Sequence, residues 1–264
     1  MKNRTIFLML LLALTTSMEA ALNTTRTKQE TIREEVKVEE TFTRVKLMGA
    51  VQLFLTQTEG PHKVEIEGTS ELLERLEISV EGDALVLRIN NRNQPFLPKN
   101  TEPIHAYIQT DTIDNVSVMG AGVVILETDL KSEDPLGLSI SGAGKIEAKK
   151  LKSPRLKMDI VGAGVLNAEE IEAKNLEAQL SGAAQMKLSL GKASESRYLI
   201  NGSGSIDAVG VDVSQVTAQV NGGGLVQCSA TQKLNAKVMG NGEIKYKGKP
   251  TLETSTPKKV RRLK

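Results

Sequence analysis

The chain has 264 residues, 39% of them hydrophobic, with no Trp, three Tyr, four Phe and a single Cys, enough for a substantial core in one or two domains. A formal charge of +2, the remainder of 34 basic and 32 acidic side chains, excludes a whole-molecule field that would draw the protein to nucleic acid. One cysteine excludes an intramolecular disulfide, so stability has to come from packing and strand pairing.

The N-terminus "MKNRTIFLMLLLALTTSMEAA" places Lys2 and Arg4 before an apolar run from Ile6 to Leu14, followed by small and polar residues. This is the layout of a secretory signal peptide over residues 1–20, cut near Ala20 or Ala21. The apolar run is short for a bilayer span, and no Cys lies nearby to carry a lipid; an uncleaved anchor is the alternative. Residues 21–40 are polar and charged with little apolar patterning, the composition of a linker or an entry strand.

A single domain is expected over residues 41–250, irregular to 115 and regular from 116 to 248. In the irregular part, "TRVKLMGAVQLFLTQ", "HKVEIEG" and "LEISVEGDALVLRIN" alternate like strands and are separated by the turn signals "EGP" and "EGD". The segment "TSELLERL" predicts a short helix or turn with Ser70 as its cap. "NRNQPFLPKNTEP" is a loop because of its prolines, and "IHAYIQT" is a further strand.

From there the same cluster recurs: "MGAGVV" at Gly120, "SGAGKI" at Gly142, "VGAGVL" at Gly162, "SGAAQM" at Gly182, "NGSGSI" at Gly202, "NGGGLV" at Gly222 and "MGNGEI" at Gly240. The steps are 22, 20, 20, 20, 20 and 18 residues, and a looser copy, "MGAVQL", sits at Gly49. The flanks repeat with the glycines. Two residues before each Gly stand Val118, Ile140, Ile160, Leu180, Ile200, Val220 and Val238; four after it stand Val124, Ile146, Leu166, Met186, Ile206, Val226 and Ile244. Columns four before and six after are also largely apolar, and the residues between them are mostly polar or charged. Alternation within each flank is the signature of a strand with one buried and one wet face. Glycine suits the turn because it accepts positive φ and leaves room for a stacked neighbour.

One such unit cannot stand alone, since ordering each of its residues costs about 1–2 kcal/mol and each inward side chain returns only about 1.5–3 kcal/mol. Stacking turns the apolar columns into continuous ladders. The fold predicted is therefore all-β: a parallel two-sheet β-solenoid with about 20 residues per coil and Gly-rich turns along one edge. Separate antiparallel hairpins around each cluster are the alternative; the near-constant period favours coils.

The combination of the opening block, "VKLMGAVQLFLTQTEGPHKVEIEGTSELLERLEISVEGDALVLRI", with the serial G-x-G turns resembles the DUF2807 family of bacterial exported proteins, also called the putative auto-transporter adhesin, head GIN domain family. The resemblance covers residues 40 to 248. It implies a pectin-lyase-like superhelix without recognised catalytic residues, and an adhesive role at the envelope of Bacteroidetes-type bacteria.

Chemistry has few footholds. Glu127, Asp129, Glu133 and Asp134 supply oxygen ligands of the kind Ca²⁺ takes, but without a defined ligand spacing they read as a polar loop. His62 and His105 are far apart in sequence and have no third partner. Cys228 falls in a column with Ala148, Ala168 and Ala208 and reads as a buried structural thiol. No helix follows the G-x-G clusters, so they are not phosphate sites. The outward column Ser139, Asp159, Gln179, Leu199, Gln219, Lys237 is a mixed solvated face. No catalytic, cofactor-binding or metal residue is assigned and no cofactor is expected. The C-terminal "PKKVRRLK", within residues 251–264, reads as a solvated basic tail, with a nucleic-acid or anionic-lipid contact as the other reading.

The function expected is an exported, non-enzymatic binding module of the cell envelope, related to adhesion, whose partner is an envelope or host protein or glycan. No nucleic acid is expected, nor any membrane span after signal cleavage. Two alternatives stand beside it: a polysaccharide lyase or hydrolase, and a periplasmic sensing or scaffold protein.

Overall fold

A strand that buries every second side chain needs a cover on its inner face and a partner on each edge. In the computed structural model, which describes residues 30–90 and 103–263, the chain's own repeats meet both needs, and 71% of the described residues lie in strands against 3% in helix. The first part contains β1 (Thr31–Val36), β2 (Arg44–Met48), β3 (Val51–Gln57), β4 (Lys63–Thr69), the helical turn α1 (Ser70–Leu73), β5 (Leu76–Glu81), β6 (Ala84–Ile89) and β7 (Ile104–Thr110). The regular part follows with β8 (Asn115–Gly120), β9 (Val123–Leu126), β10 (Leu130–Lys131), β11 (Leu136–Gly142), β12 (Lys145–Gly162), β13 (Val165–Gly182) and β14 (Gln185–Gly202). It ends with β15 (Ser205–Ala208), β16 (Val211–Gly222), β17 (Leu225–Ser229), β18 (Lys233–Met239), β19 (Glu243–Lys247), β20 (Thr251–Thr254) and β21 (Val260–Arg262).

The repeats stack in parallel, in the register the glycine spacing demands. Gly120, Gly142, Gly162, Gly182, Gly202 and Gly222 are successive partners up one ladder. The halves that follow each glycine form a second parallel ladder, from β9 through β12, β13, β14, β15, β17 and β19 to β21. The result is a β-solenoid of about seven turns, roughly 20 residues apart. The polar segments between repeats, such as "KKLKSPR" (residues 149–155) and "EEIEAKN" (residues 169–175), are also strand-paired: Leu130, Leu151, Ile171, Gly191 and Val211 form a third, short ladder. That pairing is why β12, β13 and β14 each run for 18 residues.

The apolar columns are the core. Every residue of the columns two before and four after the glycines is buried. Tyr198, fully buried, stands between Ala178 and Ala218 in its ladder, so its extra volume is taken from its two neighbours. At the corner the constraint is backbone against backbone. Gly142 has φ +125°, and a Cβ there would lie 2.6 Å from the Gly120 carbonyl oxygen, the same oxygen that accepts the Ala143 N–H at 2.9 Å.

At the start of the stack, chain order and stack order diverge. The coil around Gly49 is wedged between two later segments: β2 pairs with β6 on one edge and β8 on the other, and β3 with β7 and β9. The Gly49 N–H donates to the Met119 carbonyl at 2.9 Å. Beyond this coil the strands turn antiparallel. β5 closes one ladder against β6, and β4 followed by β1 closes the other against β7. Residues 31–36 of the expected linker are thus an entry strand.

Two expectations are corrected. Ser70 is the first residue of α1 rather than its cap; Thr69 holds the cap position, with extended backbone and no side-chain cap bond. Residues 251–262 are not a tail but a last partial coil: Leu252 is in register with Leu234 and Val260 with Ile244, continuing two inward columns. The expected signal peptide and the prolines Pro95 and Pro98 lie outside the described residues. Among the described residues no helix is long and apolar enough to cross a membrane.

Candidate functional site

The outer faces consist of side chains stacked coil on coil, which therefore meet each other first. The column Ser139, Asp159, Gln179, Leu199, Gln219 and Lys237 is in register throughout. Around it Lys157 pairs with Asp159 at 3.3 Å, Gln219 donates its amide to Asn221 at 3.0 Å, and Asn221 donates to Asn201 on the coil before at 2.7 Å. Along the third ladder Lys150 bonds Glu170 at 2.6 Å, while Lys152 and Lys192 lie 3.3 and 3.8 Å from Glu172. The hydrogen bond from Lys152 holds the Glu172 carboxyl below its usual range. Such pairs are worth little stability individually, but several link side chains of successive coils to one another.

In the 127–134 segment the hydrogen bonds that the acidic residues accept from side chains, among the described residues, go to one carboxylate and two backbone carbonyls. The Glu127 carboxylate accepts from Thr56 at 3.2 Å and its carbonyl from Lys149 at 2.6 Å. The Asp134 carbonyl accepts from Ser153 at 2.8 Å. Among the described residues no group of three or more His, Cys, Asp or Glu is placed to hold a metal. The histidines are not brought together. His62 has its Nε2 at 2.8 Å from the Val38 carbonyl and its ring against Phe42; His105 lies opposite Glu67, at the far end of β4. Cys228 stands between Ala208 and Tyr246. Burial pushes its thiol up to about 12, so the thiolate needed for nucleophilic or metal chemistry does not form at neutral pH.

One group on the solvent side was not visible in the sequence. Phe54 and Tyr107, from β3 and β7, stack with centroids 5.0 Å apart and planes 11° apart. The Arg33 guanidinium of β1 lies 4.1 Å from the centre of the Tyr107 ring. The Tyr107 hydroxyl donates to Glu67 at 3.0 Å, and Arg33 pairs with Glu65 at 3.1 Å, which lowers the Glu65 carboxyl pKa. Alternation in "VQLFLTQ" and "IHAYIQT" does turn Phe54 and Tyr107 outward, but only the β3–β7 pairing makes them neighbours. Outward aromatic rings on a β-solenoid invite comparison with sugar platforms, which need an open ring face. Here Tyr107 has Phe54 on one face and Arg33 on the other, so the stack clamps β1 to the first coils.

An apolar interior, parallel coils and outer faces that carry ion pairs between coils define a parallel β-solenoid scaffold. The chain belongs to the DUF2807 family, described as "Putative auto-transporter adhesin, head GIN domain", whose profile matches residues 41–250. Its fold is similar to that of a protein from Parabacteroides distasonis named as a putative lipid binding protein, with a TM-score of 0.80 and 20% identity over 90% of this chain and 98% of that one. It is equally similar to a putative adhesin from Parabacteroides merdae, with a TM-score of 0.80 and 21% identity over the same shares. A putative adhesin from Bacteroides fragilis follows with a TM-score of 0.61 and 24% identity, over 89% of this chain and 94% of that one. No curated protein sequence matches the chain.

Proposed function

We propose that the protein is an exported, non-enzymatic binding module of the cell envelope, with a role related to adhesion. The observation that carries this reading is the state of the outer faces: lysines, carboxylates and amides are paired with one another between successive coils of a regular scaffold. Such a surface recognises a partner through many fixed polar positions rather than by positioning one reacting atom. Family membership supports adhesion, and the signal-like N-terminus supports export.

The alternative of a glycan hydrolase calls for a carboxyl group held protonated beside an ionised one. The two carboxylates with clear shifts among the described residues, Glu65 and Glu172, are both moved the other way, toward the ionised form. No observation favours the periplasmic sensor over the adhesin. The test is binding of the purified protein to envelope and host-glycan extracts, run beside a broad glycan panel with and without Ca²⁺. Retention of a glycan or protein without release of new sugar ends is the expected result. Turnover of any glycan would overturn the reading.

A further inference from the structure

The two ends of the stack are electrically opposite. Residues 30–90, which build the first coils and their antiparallel closure, carry thirteen acidic and seven basic side chains, a net −6. Residues 233–263, the last two coils, carry two acidic and nine basic, a net +7. The ladder β5–β6–β2–β8–β11–β12–β13–β14–β16–β18–β20 is eleven strands deep. At about 4.8 Å per strand the ends are about 48 Å apart, several times the screening length of about 8 Å in physiological salt. A partner at one end therefore feels that end's charge and little of the whole molecule's near-neutrality.

The basic end is also amphipathic. Its two carboxylates are taken: Glu243 by Lys245 and Arg261, Glu253 by Lys233. Lys247, Lys249, Lys258 and Arg262 are exposed and form no ion pair among the described residues. Beside them the core runs out. Leu252 occupies an inward column but has no described coil over it and is 37% exposed, and Met239 at the neighbouring corner is 44% exposed. The outer strands there, β20 and β21, are only four and three residues long. Such short edges, flanked by Pro250 and Pro257 and with Arg261 and Arg262 exposed on β21, are poor templates for another strand, which argues against end-to-end pairing with a second copy.

We propose that this end docks on an anionic lipid surface, with the solenoid axis upright and the acidic end held away. Unpaired strand edges cannot enter hydrocarbon, so the contact lies at the headgroup level, with Leu252 and Met239 facing the interface and the four free cations facing lipid phosphates. The envelope reading supplies only the place where such a surface would be met; the binding itself follows from the charge and exposure of the last coils.

The test is co-sedimentation of the full chain, purified from the envelope of expressing cells, with vesicles of phosphatidylcholine alone or mixed with phosphatidylglycerol. All variants have the same N-terminus, so their differences report on the solenoid. Binding is expected only to the anionic vesicles, weakening as salt is raised from 50 to 300 mM. At about fivefold per basic side chain, the triple variant Lys247→Gln, Lys258→Gln, Arg262→Gln loses about a hundredfold. The equally neutralised Lys174→Gln, Lys187→Gln, Lys192→Gln, at mid-solenoid, changes by less than threefold. Unchanged melting of both confirms that exposed charges alone were altered. Absent binding, equal binding to neutral vesicles, or equal loss in the two variants overturns the proposal while leaving export and glycan binding untouched. Salt-sensitive self-association without lipid, abolished by the end variant, would also overturn it, in favour of contact between copies.

Discussion

The regular coils and the first seventy residues of the stack bury their side chains by the same alternation, yet they solve different problems. In the regular coils each residue has an equivalent one period away, so the sequence repeat and the hydrogen-bond register are the same fact. At the start of the stack there is no preceding coil to pair with. The chain supplies one by wedging residues 44–57 between two later segments and then turning antiparallel with β1, β4 and β5. The difference teaches that a periodic core needs a non-periodic end, and that the end is held by individual contacts such as the Arg33–Tyr107–Phe54 stack.

Four perturbations set the two regions against each other. The largest effect is expected from Gly142→Val, where left-handed backbone coincides with a carbonyl oxygen 2.6 Å from the new Cβ. A loss of about 4 kcal/mol or more, or failure to accumulate folded protein, is the expectation. Gly60 in the first region shares a positive φ, +119°, but a Cβ there meets nothing within 4 Å. Gly60→Val should therefore cost only the strain, about 1–3 kcal/mol. Equal melting temperatures for the two would remove stacking as the reason for the glycine edge.

Alkaline pH should act next, and through the regular coils. Burial raises both the Cys228 thiol, to about 12, and the Tyr198 phenol. A group whose folded pKa is raised gives stability that is complete below its unfolded pKa, about 9 for the thiol, and lost as pH climbs toward 12. Stability should fall through that window by up to roughly 1.4 kcal/mol per pH unit for each group, read as a falling melting temperature, and Cys228→Ala should flatten part of the slope. A flat profile to pH 11 in the parent would mean that these side chains are solvated.

Phe54→Ala probes the other region. Removing a half-buried ring and its stack on Tyr107 should cost about 1–2 kcal/mol, and amide exchange should rise in β1 and β4 while β12–β14 stay protected. Uniformly faster exchange would mean that the two regions unfold as one unit. The smallest change is expected at the far end, where Leu252→Ser removes a side chain already 37% exposed; a loss within about 1 kcal/mol of unfolding free energy, measured by denaturant titration, is anticipated, and a larger one would show that the last coil is covered in solution.

The regular fold was legible because each inward column carries its signal several times over; Ile140, Ile160 and Ile200 vote for the same register. The wedge of residues 44–57 was not, because pairing Val45 with Leu85 on one edge and Val116 on the other leaves no periodic trace. The third ladder was hidden because its column of Leu130, Leu151, Ile171 and Val211 is broken by Gly191 and surrounded by Lys and Glu. The last coil was concealed by composition: Leu252 and Val260 are inward, but the basic residues of "PKKVRRLK" dominate the segment. For the candidate site, residues such as Cys228 were readable one at a time from their columns. The Arg33–Tyr107–Phe54 stack was not, since it joins three strands drawn from different parts of the chain.

That this stack works outside the cytoplasm as a passive binding scaffold is tested most directly by the intact mass of the chain recovered from fractionated native cells. A species in the envelope or extracellular fraction, shortened by about the first 20 residues, is the predicted result. A full-length species confined to the cytoplasm would contradict it.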